Sequence, residues 1–222
     1  AYMQHVVTDR VASPPEYRGQ FSEGMMLMPY SYFVNDHRQQ PSWASVGRDI
    51  PPREAYKELP DRGVIIACFN QLYKIDPEVF DAWMGVLQQS PGSVLWLLKF
   101  PEVAVKNIVK EAKKRGIPSS RLSFGETIPK AEYLRRGAVA DLFWDTPLVN
   151  AHTSATDILW GGVPILTLPQ TSMISRVAAS LAIAGGLGWM VAPTIDAYTQ
   201  LSLALLGAGH VRTPSLQAMR DA

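Results

Sequence analysis

The sequence contains one cysteine, Cys68, in 222 residues. No internal disulfide can form and no multi-cysteine metal site can be built. A single thiol fits a reducing compartment. Charge is scarce as well: Asp, Glu, Lys and Arg make up 18% of the chain and nearly cancel, to a formal +1. That balance gives no electrostatic reason to expect nucleic acid or an anionic membrane as a partner. No apolar run approaches the roughly 20 residues of a membrane helix. The longest candidate, around Val177–Ala192, is shorter and broken by glycine. Ala1–Arg10 carries Gln4, His5, Asp9 and Arg10 without an apolar centre, so it does not read as a signal peptide. Neither GxGxxG nor GxxxxGK(S/T) follows an apolar run, which removes the main support for a dinucleotide dehydrogenase or a P-loop enzyme. His5, His37 and His210 lack ligand-like spacing, so no metal is expected.

What is present is alternation. Hydrophobic residues form 47% of the chain, a globular composition. Val64–Phe69 is a continuous apolar run of the kind buried parallel strands show. Asn70–Asp76 is a loop, and Pro77 opens a helix with Val79, Phe80, Trp83, Val86 and Leu87 on one face. Strands are then expected at Val94–Leu98, Arg121–Phe124, Leu142–Trp144, Val163–Leu168 and Trp189–Val191. Helices are expected at Val103–Gly116, Lys130–Gly137, Ala155–Trp160, Arg176–Ile183 and Ile195–Leu206. Such alternation predicts an α/β fold, a doubly wound parallel sheet with helices on both faces. Cys68 and the tryptophans Trp83, Trp96, Trp144 and Trp160 sit in apolar patterns and are expected in the core.

The first 50 residues differ. They are rich in Tyr, Met, Ser and Pro and only weakly periodic. His5–Thr8 reads as a short strand, Gln20–Met28 as a short helix, Tyr30–Val34 as strand-like and Asn35–Pro52 as a loop. Residues 1–50 are read as a connecting segment, the remnant of a preceding region. Residues 51–206 are read as the main lobe and 207–222 as a truncated tail that stops inside a starting helix, so a fragment is expected.

In doubly wound sheets the ligand sits outside the carboxyl ends of the strands. The loops expected there are Asn70–Asp76, Lys99–Pro101, Gly125–Lys130, Asp145–Ser154 and Pro169–Ser172. They and the helices they open carry Gln71, Lys74, Lys130, Arg136, His152, Thr153, Ser154 and Asp157. Cations, hydroxyls, a carboxylate and the positive end of a helix at Thr153 suit a phosphorylated ligand with a ribose. Plainer roles compete. Lys74 can be a solvated lysine, His152 a structural histidine, and Ser154 with Asp157 a helix cap.

Several long blocks carry a resemblance: FNQLYKIDP (Phe69–Pro77), SVLWLLKFP (Ser93–Pro101), PKAEYLRRG (Pro129–Gly137), ADLFWDTPLVNAH (Ala140–His152), HTSATDILWGGVPILTLP (His152–Pro169) and SRVAAS (Ser175–Ser180). With SPPEYRGQFSEGMMLMPYSYFVNDH (Ser13–His37), they resemble the nucleocytoplasmic protein O-GlcNAc transferases over most of the chain, more than the related O-fucosyltransferases. The resemblance implies the Rossmann-like C-terminal lobe of a GT-B glycosyltransferase, inverting transfer of GlcNAc from UDP-GlcNAc to Ser or Thr of proteins, no cofactor, and a cytoplasmic or nuclear location. It implies Lys74 as the catalytic leaving-group stabiliser, beside Gln71 at the diphosphate. Thr153 and Ser154, where the family carries two threonines, would donate to phosphate, with His152 near the sugar. Lys130 and Asp157 would hold the ribose, and the Ile128 backbone and Arg136 the uracil. Tyr133 stands where a base-stacking histidine is usual, Ala155 where glycine is common and Val149 where cysteine is common. The family's N-terminal lobe and helical repeats find no counterpart in these residues, which leaves a UDP-binding module, inactive alone, as the alternative.

Overall fold

The computed structural model describes residues 2–39, 46 and 49–207. Two short strands, β1 (His5–Asp9) and β2 (Gly24–Met28), pair in parallel near the start. Five further strands follow: β3 (Val64–Cys68), β4 (Ser93–Leu98), β5 (Leu122–Gly125), β6 (Leu142–Trp144) and β7 (Ile165–Leu166). They alternate with α1 (Pro77–Gln89), α2 (Glu102–Lys114), α3 (Lys130–Gly137), α4 (Thr153–Trp160), α5 (Val177–Ala184) and α6 (Ile195–Gly207). The strands β3 to β7 form one parallel sheet in the order β5-β4-β3-β6-β7. The expected α/β fold and doubly wound sheet are what the chain adopts.

The period of two along β3 explains the layers. Val64, Ile66 and Cys68 pack in one core with Trp83 of α1, Ala112 of α2 and Tyr198 of α6. Ile65 and Ala67 point the other way, into a second core with Ala155 and Ile158 of α4 and Ala178 of α5. A one-residue slip would exchange the two sets, so register is fixed by packing on both faces. Trp83 stacks on Trp144 at 5.7 Å and donates its indole N–H to the Tyr198 hydroxyl at 3.2 Å. Asp76 caps α1, accepting from Val79 N at 3.0 Å, and Pro77 begins it. Cys68 is fully buried, and burial pushes its thiol up to about 12. Trp160 is only partly buried.

Several expectations are corrected. Gln20–Met28 is not a helix; its second half is β2. Met and Leu favour helices locally, but the ladder to β1 overrides that preference. Tyr30–Val34 is not a strand: it bends at Tyr30 and Tyr32, and the Tyr32 N–H goes to the Asp9 carboxylate at 2.9 Å. Trp189–Val191 is mostly a single helical turn, Gly188–Met190, with one bridge from Val191 to Thr167. Val163–Leu168 yields only two strand residues, Ile165–Leu166. His210 and the tail from 208 onward lie outside the described residues, as do 40–45, 47 and 48 of the expected loop.

The N-terminal segment is docked rather than merely connecting. Asp9 is fully buried and accepts from Val11 N, Ala12 N, Tyr32 N and the Ser180 hydroxyl, at 2.7–2.9 Å. Arg176 stacks over Tyr17 and donates to Val11 O at 2.7 Å. The segment is thereby tied to α5.

The chain winds from β3 to β4 and β5, then returns to β6 on the other side of β3. The crevice between the carboxyl ends of β3 and β6 is therefore the topological switch point. Asp145 lies just past β6. Its fully buried carboxylate accepts from Ala151 N at 2.7 Å, the Thr167 hydroxyl at 2.8 Å and the Asn70 amide at 3.2 Å. Burial pushes this carboxyl up to about 7, against the pull of those donors. A raised carboxyl binds its proton more tightly in the folded state. Its stabilising contribution is complete below about pH 4 and is lost as pH rises to about 7. Asp145→Asn keeps the shape and the acceptor for Ala151 but cannot ionise. Wild-type stability relative to that variant should fall by about 2 kcal/mol between pH 5 and pH 8 in chemical denaturation. A difference independent of pH would show that the carboxyl does not titrate there.

Candidate functional site

A cavity of about 410 Å³ opens at the switch point. Its wall is built from four strand ends and the helices that follow them. Phe69, Asn70, Gln71, Tyr73 and Lys74 come from the loop after β3, Thr127 and Ile128 from the loop after β5, and Tyr133 and Arg136 from α3. His152, Thr153 and Ser154 come from the start of α4, and Leu98 ends β4. Among the described residues, two permanent cations, Lys74 and Arg136, line it, and no carboxylate does. The first turn of α4 adds backbone N–H groups that have no carbonyl a turn below them. The cavity is an anion site by charge, by dipole and by hydrogen-bond capacity.

Lys74 sits at the end of a single turn, Leu72–Lys74, and donates to Asn150 O at 3.3 Å. That carbonyl is itself fixed. Asn150 donates from its amide to Thr146 O at 2.9 Å and accepts from Ala178 N at 3.2 Å. The Asn70 amide also reaches the Thr146 hydroxyl at 2.7 Å. Asp145 thus controls where Lys74 rests through a short chain of hydrogen bonds. His152 directs Nε2 at Ile174 O, 2.9 Å away, so Nε2 carries the proton and Nδ1 is an acceptor. Burial lowers its pKa, with the Lys74 charge acting the same way and the bond to Ile174 opposing. The ring is therefore neutral at neutral pH.

Arg136, also in the lining, is 2% exposed and lies over the rings of Phe69, Tyr133 and Trp96, at 5.0, 5.5 and 5.7 Å. One nitrogen, Nη1, donates to Glu126 O. Nε and Nη2 are buried without a partner among the described residues. An unpaired buried donor is costly, so two of them beside a cavity point to a ligand acceptor. Gly125 leaves room for this: a Cβ there would come within 3.1 Å of Nη1 and 3.2 Å of the Trp96 indole nitrogen. Tyr133 is flat, lines the cavity and is buried enough that its phenol is pushed up, with Ser154 beside it acting the other way.

Gln71, Lys74, Ile128, Tyr133, Arg136, His152, Thr153 and Ser154 are brought together. Lys130 and Asp157 are not in the lining. They pair with each other beside Tyr133, with the Lys130 ammonium 5.8 Å from that ring. The helix-cap reading of Ser154 and Asp157 fails: His152 occupies the cap position, and Asp157 bonds Lys130 and His37 rather than backbone. The loops Lys99–Pro101 and Pro169–Ser172 do not line the cavity. Sequence reading missed Asn70, Asp145 and His37. A polar residue directly after a buried strand was the available signal for the first two. Nothing local marks His37, which meets Asp157 across 120 residues. Among the described residues, no group of three or more His, Cys, Asp or Glu is placed to hold a metal ion. No helix among them is long and apolar enough to cross a membrane.

Comparison with known proteins gives these residues a lineage. The model of glycosyl transferase family 41 matches residues 1–45 and 42–221. A probable UDP-N-acetylglucosamine–peptide N-acetylglucosaminyltransferase, SEC of Arabidopsis thaliana, is 39% identical over 219 residues, covering 98% of this chain and 22% of that protein. The UDP-N-acetylglucosamine–peptide N-acetylglucosaminyltransferase of Caenorhabditis elegans is 42% identical over 167 residues, 73% of this chain and 14% of that protein. The O-GlcNAc transferase of Thermobaculum terrenum, solved as a mutant, superposes with a TM-score of 0.78 at 25% identity, over 99% of this chain and 39% of that one. The chain spans under a quarter of the length of these two sequence relatives. The shared sequence over nearly the whole chain, with a shared fold, makes this protein a member of glycosyl transferase family 41.

Proposed function

We propose that this chain is the donor-binding lobe of a protein O-GlcNAc transferase, which transfers GlcNAc from UDP-GlcNAc to Ser or Thr hydroxyls with inversion. The observation that carries the reading is the set of groups the cavity combines. It offers a cation and a helix N-terminus, and with them a flat ring and an arginine that has two unpaired nitrogens among the described residues. A uracil carries carbonyl acceptors for Arg136 and a face for Tyr133. A diphosphate fits Lys74, Thr153, Ser154 and Gln71. Negative charge grows on the diphosphate as the sugar leaves, and a fixed ammonium with helix N–H groups stabilises that growth. This assigns the charge to protein groups, so donor binding without metal is part of the proposal, as is a reducing, cytoplasmic or nuclear setting.

A second reading applies to the chain by itself. Taking the proton of an acceptor hydroxyl needs a base. Among the described residues the lining holds no carboxylate, and its one imidazole is anchored on Ile174 O. Alone, these residues bind the donor and stabilise the departing UDP, and the acceptor proton goes to a group outside them. The chain is then a UDP-binding module that needs the rest of its enzyme.

Two variants separate the roles of Lys74 and Arg136. Lys74→Ala in the full-length enzyme should lower kcat by about 100-fold or more while changing UDP affinity by less than about tenfold. Equal losses would make Lys74 a binding residue only. Arg136→Gln should weaken UDP by about tenfold or more and leave inorganic diphosphate unchanged, by calorimetry. Equal weakening of both ligands would mean that Arg136 supports the fold and reads no base.

A further inference from the structure

His37 comes from the N-terminal segment, yet it ends inside the main lobe. It is 3% exposed, its ring lies 5.5 Å from that of Trp160, and its Nε2 is 2.6 Å from Asp157 Oδ1. A carboxylate only accepts, so the imidazole donates there. The other oxygen, Oδ2, receives the Lys130 ammonium. Asp157 is 3% exposed and the Lys130 side chain 38%, so the pair has one side reachable from solvent, next to the cavity-lining Tyr133. An acceptor oxygen beside an ammonium donor is the arrangement that a vicinal diol can bridge, one hydroxyl donating to Oδ2 and its neighbour accepting from Nζ.

We infer that His37 is a positioning residue for ribose recognition, acting through Asp157. This rests on the UDP reading of the cavity. With His37 on Oδ1, the carboxylate is held in one rotamer with Oδ2 turned to Lys130. Without it, Oδ1 loses its donor, and the carboxylate can turn both oxygens to the ammonium, which withdraws the acceptor from a ligand. The segment that the sequence presents as a connection therefore completes the sugar end of the nucleotide site. Phe33 of the same segment reinforces this placement, with its ring 5.9 Å from that of His152.

The test compares UDP with 2′,3′-dideoxyuridine 5′-diphosphate by calorimetry on wild type, His37→Ala and His37→Gln, each checked for a cooperative thermal melt. Two hydroxyls bonded to charged groups predict about tenfold or greater preference of wild type for UDP. His37→Ala should bind the dideoxy ligand like wild type and lose most of the preference. His37→Gln, whose amide N–H can reach Oδ1, should regain it. A fall in both ligands together, without rescue by glutamine, would reduce His37 to a fold contact and overturn the inference. So would an unchanged preference in His37→Ala. If wild type binds both ligands equally, the cavity still takes UDP but Asp157 does not read ribose. If wild type binds neither, the UDP reading itself fails, and this one with it.

Discussion

The structure depends on one buried carboxylate at the end of the fourth strand of the main sheet. Asp145 has no contact with solvent, and its oxygens gather donors from the loops after β3, β6 and β7. Parallel strands end in separate loops that have no reason of their own to stay together. Here they are held by hydrogen bonds to a group that pays for its burial with a raised pKa. From that knot the order passes through Asn70, Thr146 and Asn150 to the carbonyl on which Lys74 rests. The position of the ammonium at the cavity wall is set by Asp145, Thr146 and Asn150, which lie outside the lining, together with Asn70 within it.

Two cores make that arrangement possible. The sheet is covered on both faces, so its strand ends converge at one switch point with nothing above them but loops and helix starts. The short helix α4 begins there and turns its N-terminus to the cavity. The cavity lining then combines an ammonium and a helix start with a guanidinium and aromatic rings. The proposed nucleoside diphosphate offers a partner for each of these groups.

Much of this was legible in the sequence, and the part that was not has a common cause. The runs at Val64 and Val94 and the helix capped by Asp76 follow local rules, and they appear where the pattern places them. The cavity residues after strands were also readable, since a parallel sheet fixes which loops share an edge. What failed depended on distant partners. Gly24–Met28 took its conformation from β1, and Tyr30–Val34 lost its strand character to the Asp9 carboxylate. Asp157 looked like a helix cap because capping is local, whereas its partner His37 is 120 residues away. The unpaired nitrogens of Arg136 were equally invisible, because only burial makes them costly.

The central claim is that protein groups alone, without a metal, receive the diphosphate of UDP at this switch point. Calorimetric titration of the purified chain with UDP, once in EDTA and once with magnesium, tests it most directly. The account predicts saturable binding with a Kd that is the same in both buffers to within about threefold, about 0.7 kcal/mol. Binding that appears only with magnesium, or none by a demonstrably folded chain, would contradict it.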